Sequence, residues 1–168
     1  MGKLLAAICA ALVLTLGGCA SYDGRALAPG ATVAQVESAM GAPALRVAQP
    51  DGGTALYFSR GPEGRHTYVA LMNKDGTLRS IEQRLTLASL NKLVPGTTTK
   101  KDVTELFGPP DPYATTKLAL SGREVWEYKW LDFQEKRVLW VQFSEDGILR
   151  EALNSRDDFH ESPGAGLP

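Results

Sequence analysis

The sequence predicts an α+β protein of two tandem repeats, each a short N-terminal helix (or two) packed on an antiparallel three- to four-stranded meander. Three observations predict it: two stretches of the chain match each other, each match opens with helix-capping signals, and each then changes to the period-two alternation of strands. The predicted parts are a leader (1–18), a tether (19–26), repeat 1 (27–85), a linker (86–94), repeat 2 (95–154) and a disordered tail (155–168).

The duplication rests on three matched pairs of segments. The first pair shares a Pro-Gly step, the second ends in a glycine with a proline two residues beyond it, and the third surrounds an Asp-Gly dipeptide. The distance between partners grows along the chain, which indicates insertions in loops. The pairs are 27–32 with 93–98, 36–43 with 103–110, and 72–79 with 143–150.

Each repeat begins with a helix whose ends are marked. Thr32 and Thr99 stand where an N-cap residue accepts a hydrogen bond from the first turn. Gly41 and Gly108 stand where a glycine ends a helix, with a proline two residues beyond. The apolar residues at helical spacing are Val36 and Met40 in the first helix, and Val103, Leu106 and Phe107 in the second.

Strands follow each helix. Residues 124–131 and 138–143 alternate between two faces, so we expect Trp126 and Phe143 in the core and Trp140 on the opposite face. The Asp75-Gly76 and Asp146-Gly147 pairs predict hairpin turns, with a positive φ at Gly147. Residues 78–85 and 148–153 are predicted as the returning strands, while 44–55 and 111–123 fit either a strand or a loop.

The leader is a predicted secretory signal peptide, and the prediction rests on the first 19 residues. Lys3 precedes an apolar run from Leu4 to Leu16, and this run of 13 residues is shorter than the roughly 20 that a membrane span needs. Its ending, Leu16-Gly17-Gly18-Cys19, resembles a bacterial lipobox. The resemblance implies that Cys19 becomes the first mature residue and carries acyl chains such as palmitate. With Ala20 in place of an aspartate, it also implies the outer membrane, facing the periplasm.

The composition limits the chemistry that we expect. Cys9 falls in the leader and Cys19 carries the lipid, which leaves no thiol for catalysis, disulfide formation or metal binding. His66, at the start of a predicted strand, is not expected to bind a metal, and the acidic run around His160 is expected to be solvated rather than a metal site. The net charge of −1 gives no basic patch for nucleic acid. We expect no cofactor, no metal and no enzymatic activity.

A protein-binding surface is predicted instead, on the sheet face that points away from the helices. Large exposed apolar patches usually mark interaction sites. The alternative is that this face packs between the repeats or against the segment Thr86–Val94. The residues assigned to the surface are Trp140, Val138, Gln142, Val69 and Leu71.

The order of helix, Gly-x-Pro, aromatic strand, apolar strand and Asp-Gly turn resembles the SmpA/OmlA (BamE-like) family of outer-membrane lipoproteins. The residues that carry the resemblance are Pro95–Thr98, Val103, Gly108, Pro110, Trp126–Tyr128, Phe143 and Asp146-Gly147. The family has one such unit and this chain has two.

The resemblance implies a scaffold or accessory factor in outer-membrane protein assembly, with a protein partner in the periplasm or outer membrane. The β-barrel assembly machinery is one candidate partner. A tandem of such units also resembles the β-lactamase inhibitory proteins, which implies the alternative role of inhibitor or modulator of a periplasmic enzyme.

Overall fold

The computed structural model describes residues 23–60, 64–119 and 121–158. The predicted leader, the predicted lipid attachment site at Cys19 and residues 159–168 of the predicted tail lie outside the described residues. Within the described part of the chain, none of the helices has the length and apolar character needed to cross a bilayer.

The first half of the described chain forms a four-stranded antiparallel sheet with its strands in sequence order. One α-helix, α1 (Val33–Met40), packs on one face of this sheet. The strands are β1 (Leu45–Ala48), β2 (Thr54–Arg60), β3 (His66–Met72) and β4 (Leu78–Gln83).

The second half forms another four-stranded antiparallel sheet, again in sequence order. Two α-helices, α2 (Leu87–Leu90) and α3 (Lys100–Phe107), and a 3-10 turn (Pro112–Ala114) precede its long strands. The strands are β5 (Thr115–Lys117), β6 (Glu124–Asp132), β7 (Glu135–Phe143) and β8 (Leu149–Arg156).

The predicted fold class is wrong. The described residues are mostly β, in two antiparallel four-stranded sheets, and they contain three α-helices, of which α2 has only 4 residues. The architecture is therefore two four-stranded antiparallel sheets, and not two repeats that each consist of a helix and a meander. Capping signals show where a helix starts but not how much of the fold it supplies, and α1 and α3 are about two turns each. Two segments left open in the sequence contribute β1 and β5, and the predicted linker contains α2.

The predicted helix starts are confirmed. Thr32 and Thr99 each accept a hydrogen bond from the backbone N–H three residues later, and the side chain of that residue accepts one from the threonine backbone. The helices end at Gly41 and Gly108, which have φ of 79° and 83°. The positive φ expected at Gly147 is also confirmed, at 77°.

The described residues form a core of three clusters. The first lies between α1 and the first sheet, and the second lies between α2, α3 and the second sheet. A third, smaller cluster covers the other face of the first sheet, around Tyr57 and Val69. Phe143 and Trp126 belong to the second cluster, with ring centroids 4.7 Å apart, which confirms their predicted core positions.

The end of α3 contacts both sheets. The Tyr57 hydroxyl of β2 donates to the Glu105 carbonyl oxygen at 2.7 Å, and the Tyr128 hydroxyl of β6 donates to the Gly108 carbonyl oxygen at 3.0 Å. Burial raises the pKa of both tyrosines, so the hydroxyls remain protonated donors at neutral pH. The helix therefore brings the small cluster of the first sheet against the second half of the molecule.

A buried ion pair makes a second connection. The Arg65 guanidinium, just before β3, pairs with the Asp157 carboxylate, just after β8, and both side chains are almost inaccessible to solvent. Arg65 also donates to the carbonyl oxygen of Arg137, at 3.2 Å. The predicted tail therefore starts too early, because β8 continues to Arg156 and Asp157 is buried.

Candidate protein-interaction site

The broad exposed surface predicted from the sequence does not exist as such. Val69 and Leu71 are buried, because the face of the first sheet that carries them forms the small cluster beside α3. Val138 is also buried, at 1% exposure. For the first sheet the structure thus favours the packing alternative that the sequence left open. Trp140 and Gln142 remain partly exposed, on the second sheet alone.

We call the face of the second sheet opposite α3 its outer face. Direct cross-strand partners share a face, so the pairs Glu127–Trp140 and Trp140–Leu153 form one row across β6, β7 and β8. Phe143 is an odd number of residues from Trp140 and points to the core instead. The predicted position of Trp140 outside the core is therefore confirmed.

The row around Trp140 is held in a defined geometry. The Trp140 indole Nε1 donates to the Glu127 carboxylate at 3.0 Å, which fixes the ring across the sheet. Leu153 lies on its other side and is 54% exposed. The result is an aromatic and an aliphatic side chain next to each other, with the polar end of the indole already satisfied.

A second row borders the first. Val125, Gln142 and Glu151 are cross-strand partners on β6, β7 and β8, and Val125 and Gln142 are partly exposed. The Arg123 guanidinium donates to the Gln142 side-chain oxygen at 2.9 Å. The apolar centre of the outer face is therefore bordered by polar side chains, as in many protein interfaces.

The opposite face is anchored to α3 through charge. Lys100 at the start of α3 pairs with Glu124 at 2.8 Å, and its Nζ lies 5.8 Å from the Trp126 ring centroid. The hydrogen bond from Lys100, followed by that from the Trp126 indole, holds the pKa of Glu124 below its usual value. These contacts join the start of β6 to α3 on the side of the sheet opposite the outer face.

The strand β8 lies at the edge of the second sheet and is eight residues long. Its side chains are mostly exposed on both faces. An edge strand presents backbone N–H and C=O groups that another extended segment can pair with. The outer face and this edge are therefore adjacent, and they share Leu153.

The turn between β6 and β7 has a feature that the sequence analysis missed. Phe133 has a φ of 55°, and among the described residues it is the one residue other than glycine with a positive φ. Its side chain is 98% exposed. A residue with a Cβ in this region is strained by roughly 1–2 kcal/mol, and the packing of Phe133 gives nothing visible in return.

The residues that the sequence analysis missed at this site are Leu153, Glu127 and Phe133. A signal for the first two was available, since opposite residues of a hairpin share a face once the register is known. The β7–β8 register, which places Leu153 opposite Trp140, depends on the irregularity between Gln142 and Phe143, which nothing in the sequence marks. Phe133 could have been noticed as an aromatic residue between two predicted strands.

Comparison with known proteins adds no assignment: no protein-family model, curated protein or solved structure matches the chain.

The groups available on the outer face are an indole, an aliphatic side chain, hydrogen-bonding side chains and an open backbone edge. These groups suit the recognition of another polypeptide.

Proposed function

We propose that the chain is a lipid-anchored protein of the outer membrane, facing the periplasm, that binds a protein partner through the outer face of its second sheet. In this role it is a scaffold or accessory factor in envelope assembly, and the β-barrel assembly machinery is one candidate partner. The anchor is Cys19, the cysteine that follows the apolar leader. Two or three acyl chains hold a protein stably on a membrane without a spanning helix.

The observation that carries the proposal is the partly exposed Trp140, held by Glu127 beside the exposed Leu153. Tryptophan is among the residues that dominate binding energy in protein interfaces. Because the indole N–H is already paired, little orientational freedom remains to be lost when a partner covers the ring. A partner would thus bury apolar surface at low entropic cost.

Phe133 favours a second candidate function, the inhibition or modulation of a periplasmic enzyme. A fully exposed aromatic side chain at the tip of a hairpin can enter a concave site, and its strained backbone is consistent with a functional role. In that case the contact lies at the tip of the β6–β7 hairpin rather than on the outer face. The two candidates therefore predict contacts at different residues.

Site-specific photo-crosslinking in native membranes separates them. A photoreactive residue at Gln142 reports on the outer face, one at Phe133 reports on the hairpin tip, and one at exposed Lys92 is the control. We expect one discrete adduct from position 142, and its loss when Cys19→Ala removes the anchor. An adduct from position 133 with none from 142 would support the inhibitor instead. Equal labelling from all three positions would contradict both candidates.

A further inference from the structure

The edge of β8 is open over most of its length. The backbone of Leu149 is used on its outer side, where Gly96 N–H donates to the Leu149 carbonyl and Leu149 N–H donates to the Thr98 carbonyl. Beyond that point, in the ranges that the structure describes, β8 pairs with β7 and with no other strand.

The direction of the open backbone groups follows from the register. Asp157 N–H donates to the Lys136 carbonyl, so these two residues form a hydrogen-bonded pair. The register then runs without irregularity to the pair Gln142–Glu151, and hydrogen-bonded pairs alternate with non-bonded ones. Residues 151, 153 and 155 therefore bond to β7, while Ala152, Asn154 and Arg156 direct their N–H and C=O groups outward.

The side chains along this edge define what can pair with it. Leu153 is 54% exposed and extends the row that contains Trp140. Arg150 and Arg156 lie three residues before and after it, and both are exposed. Each already pairs with a carboxylate of this chain, Arg150 with Asp146 and Arg156 with Glu135. Such solvent-exposed pairs contribute little, so both guanidinium groups stay accessible to a further carboxylate. A matching strand therefore places an apolar residue opposite Leu153, with a carboxylate three residues away on each side, because opposite charges in cross-strand pairs stabilise a sheet.

A second copy of this chain fits less well. In an antiparallel pair that places Leu153 opposite its own copy, Arg150 faces Arg156 twice, and like charges directly opposite each other are destabilising. Shifting that register by two residues, which keeps the same faces together, places Leu153 opposite Glu151 or Ser155 and loses the apolar contact. The charge pattern thus favours a different protein chain.

We propose that β8 binds an extended segment of a partner protein as a fifth strand of the second sheet. This segment carries an apolar residue opposite Leu153 and acidic residues opposite Arg150 and Arg156. The inference rests on the proposed function, and it specifies how the partner is held. Main-chain hydrogen bonds to Ala152, Asn154 and Arg156 supply affinity, and the side-chain pattern supplies selectivity.

The test uses the full chain and a synthetic peptide with blocked ends, Glu-Thr-Thr-Leu-Thr-Thr-Glu. Amide hydrogen exchange is measured by NMR over residues 150–156. We expect the peptide to slow exchange at Ala152, Asn154 and Arg156, whose amides point outward, more than at the residues between them. A control peptide with lysine at both ends should bind roughly tenfold more weakly, because two attractive cross-strand pairs become repulsive.

Two variants provide matched controls. Ala152→Pro removes an outward amide and leaves the bonds to β7 intact, so it should abolish the protection that the peptide gives. Ala152→Val keeps the amide and should bind the peptide as the parent chain does.

Three results would overturn the proposal: no protection by the peptide, equal protection by the lysine peptide, or a dimer whose outward amides are already protected. Crosslinking from Gln142 does not depend on these results. A failure of strand addition alone therefore leaves the proposed function standing, whereas the absence of that crosslink contradicts the proposed function itself.

Discussion

Arg65 and Asp157 form a buried ion pair between residues that are 92 positions apart in the chain. Arg65 directly precedes β3 of the first sheet, and Asp157 directly follows β8 of the second. Arg65 also donates to a backbone carbonyl of β7, so the charges are accompanied by further hydrogen bonds. The pair thus joins the end of the second sheet to the start of a central strand of the first.

Breaking this buried pair should lower stability far more than changing the exposed residue next to it. Asp157→Asn removes the carboxylate charge that pairs with the buried guanidinium of Arg65, and we expect a loss of about 3–5 kcal/mol in the free energy of unfolding. The matched control is Asp158→Asn, at the next and exposed residue, which should change stability by less than about 0.5 kcal/mol. Urea unfolding measures both, and equal losses would show that the pair has no special role.

Substitution by alanine should lower stability much more at Phe143 than at Trp140, although both are aromatic residues of β7. Phe143 is fully buried and packs edge-on against Trp126, so Phe143→Ala should cost about 3–5 kcal/mol. Trp140→Ala removes a partly exposed ring and should cost clearly less stability. Thermal melting of the two variants compares them. A Trp140 variant that unfolds as readily as the Phe143 variant would contradict the assignment of the two faces.

Replacing Phe133 by glycine should make the protein more stable. The positive φ of 55° strains a residue that has a Cβ, by about 1–2 kcal/mol. Glycine relieves the strain but loses more chain entropy on folding, so the expected net gain is roughly 0.5–1 kcal/mol. Gln134→Gly, at the neighbouring position without a positive φ, is the control and should lower stability. If Phe133→Gly also lowers stability, the exposed ring has a structural role.

The contact between Lys100 and Glu124 should make a pH-dependent contribution to stability. The pKa of Glu124 is held below its usual value in the folded protein, so the stabilisation is present above the unfolded pKa and disappears as the pH falls through the folded one. Glu124→Gln should therefore lower the free energy of unfolding at pH 7, by about 0.5–1 kcal/mol because the pair is partly exposed.

Below about pH 4 the difference in the free energy of unfolding between Glu124→Gln and the parent protein should shrink, because the Glu124 carboxylate of the parent becomes protonated as well. Glu145→Gln, at an exposed position in the turn between β7 and β8, is the control. Unfolding curves at several pH values make the comparison. A deficit of constant size from pH 7 to pH 3 would contradict the assignment of the effect to the charge of Glu124.

The sequence predicted local features that depend on a few neighbouring residues. The caps at Thr32 and Thr99, the turn at Gly147 and the two faces of β7 all follow from short-range patterns. The predicted proportion of helix to sheet was wrong. The strands β1 and β5 are only four and three residues long, too short for their side-chain pattern to identify a strand, and they become strands by pairing with longer neighbours.

The candidate site was predicted only in part, because alternation tells which residues share a face but not what covers that face. Val69 and Leu71 were placed correctly opposite α1, yet they are buried near α3 from the other half of the chain. Asp157 was read as part of a solvated tail because its partner, Arg65, is distant in the sequence. Such contacts arise from packing between sheets, which short-range patterns do not encode.

The central claim is that a partner covers the outer face of the second sheet when the protein is in its membrane. The most direct measurement is the rate at which a thiol-reactive maleimide labels Val125→Cys, a nearly isosteric change on that face, in native membranes and in the detergent-purified protein. Ser38→Cys, at an exposed position of α1, is the control. We predict slow labelling at position 125 in membranes and fast labelling after purification, with position 38 fast in both. Equally fast labelling of position 125 in both preparations would contradict the claim.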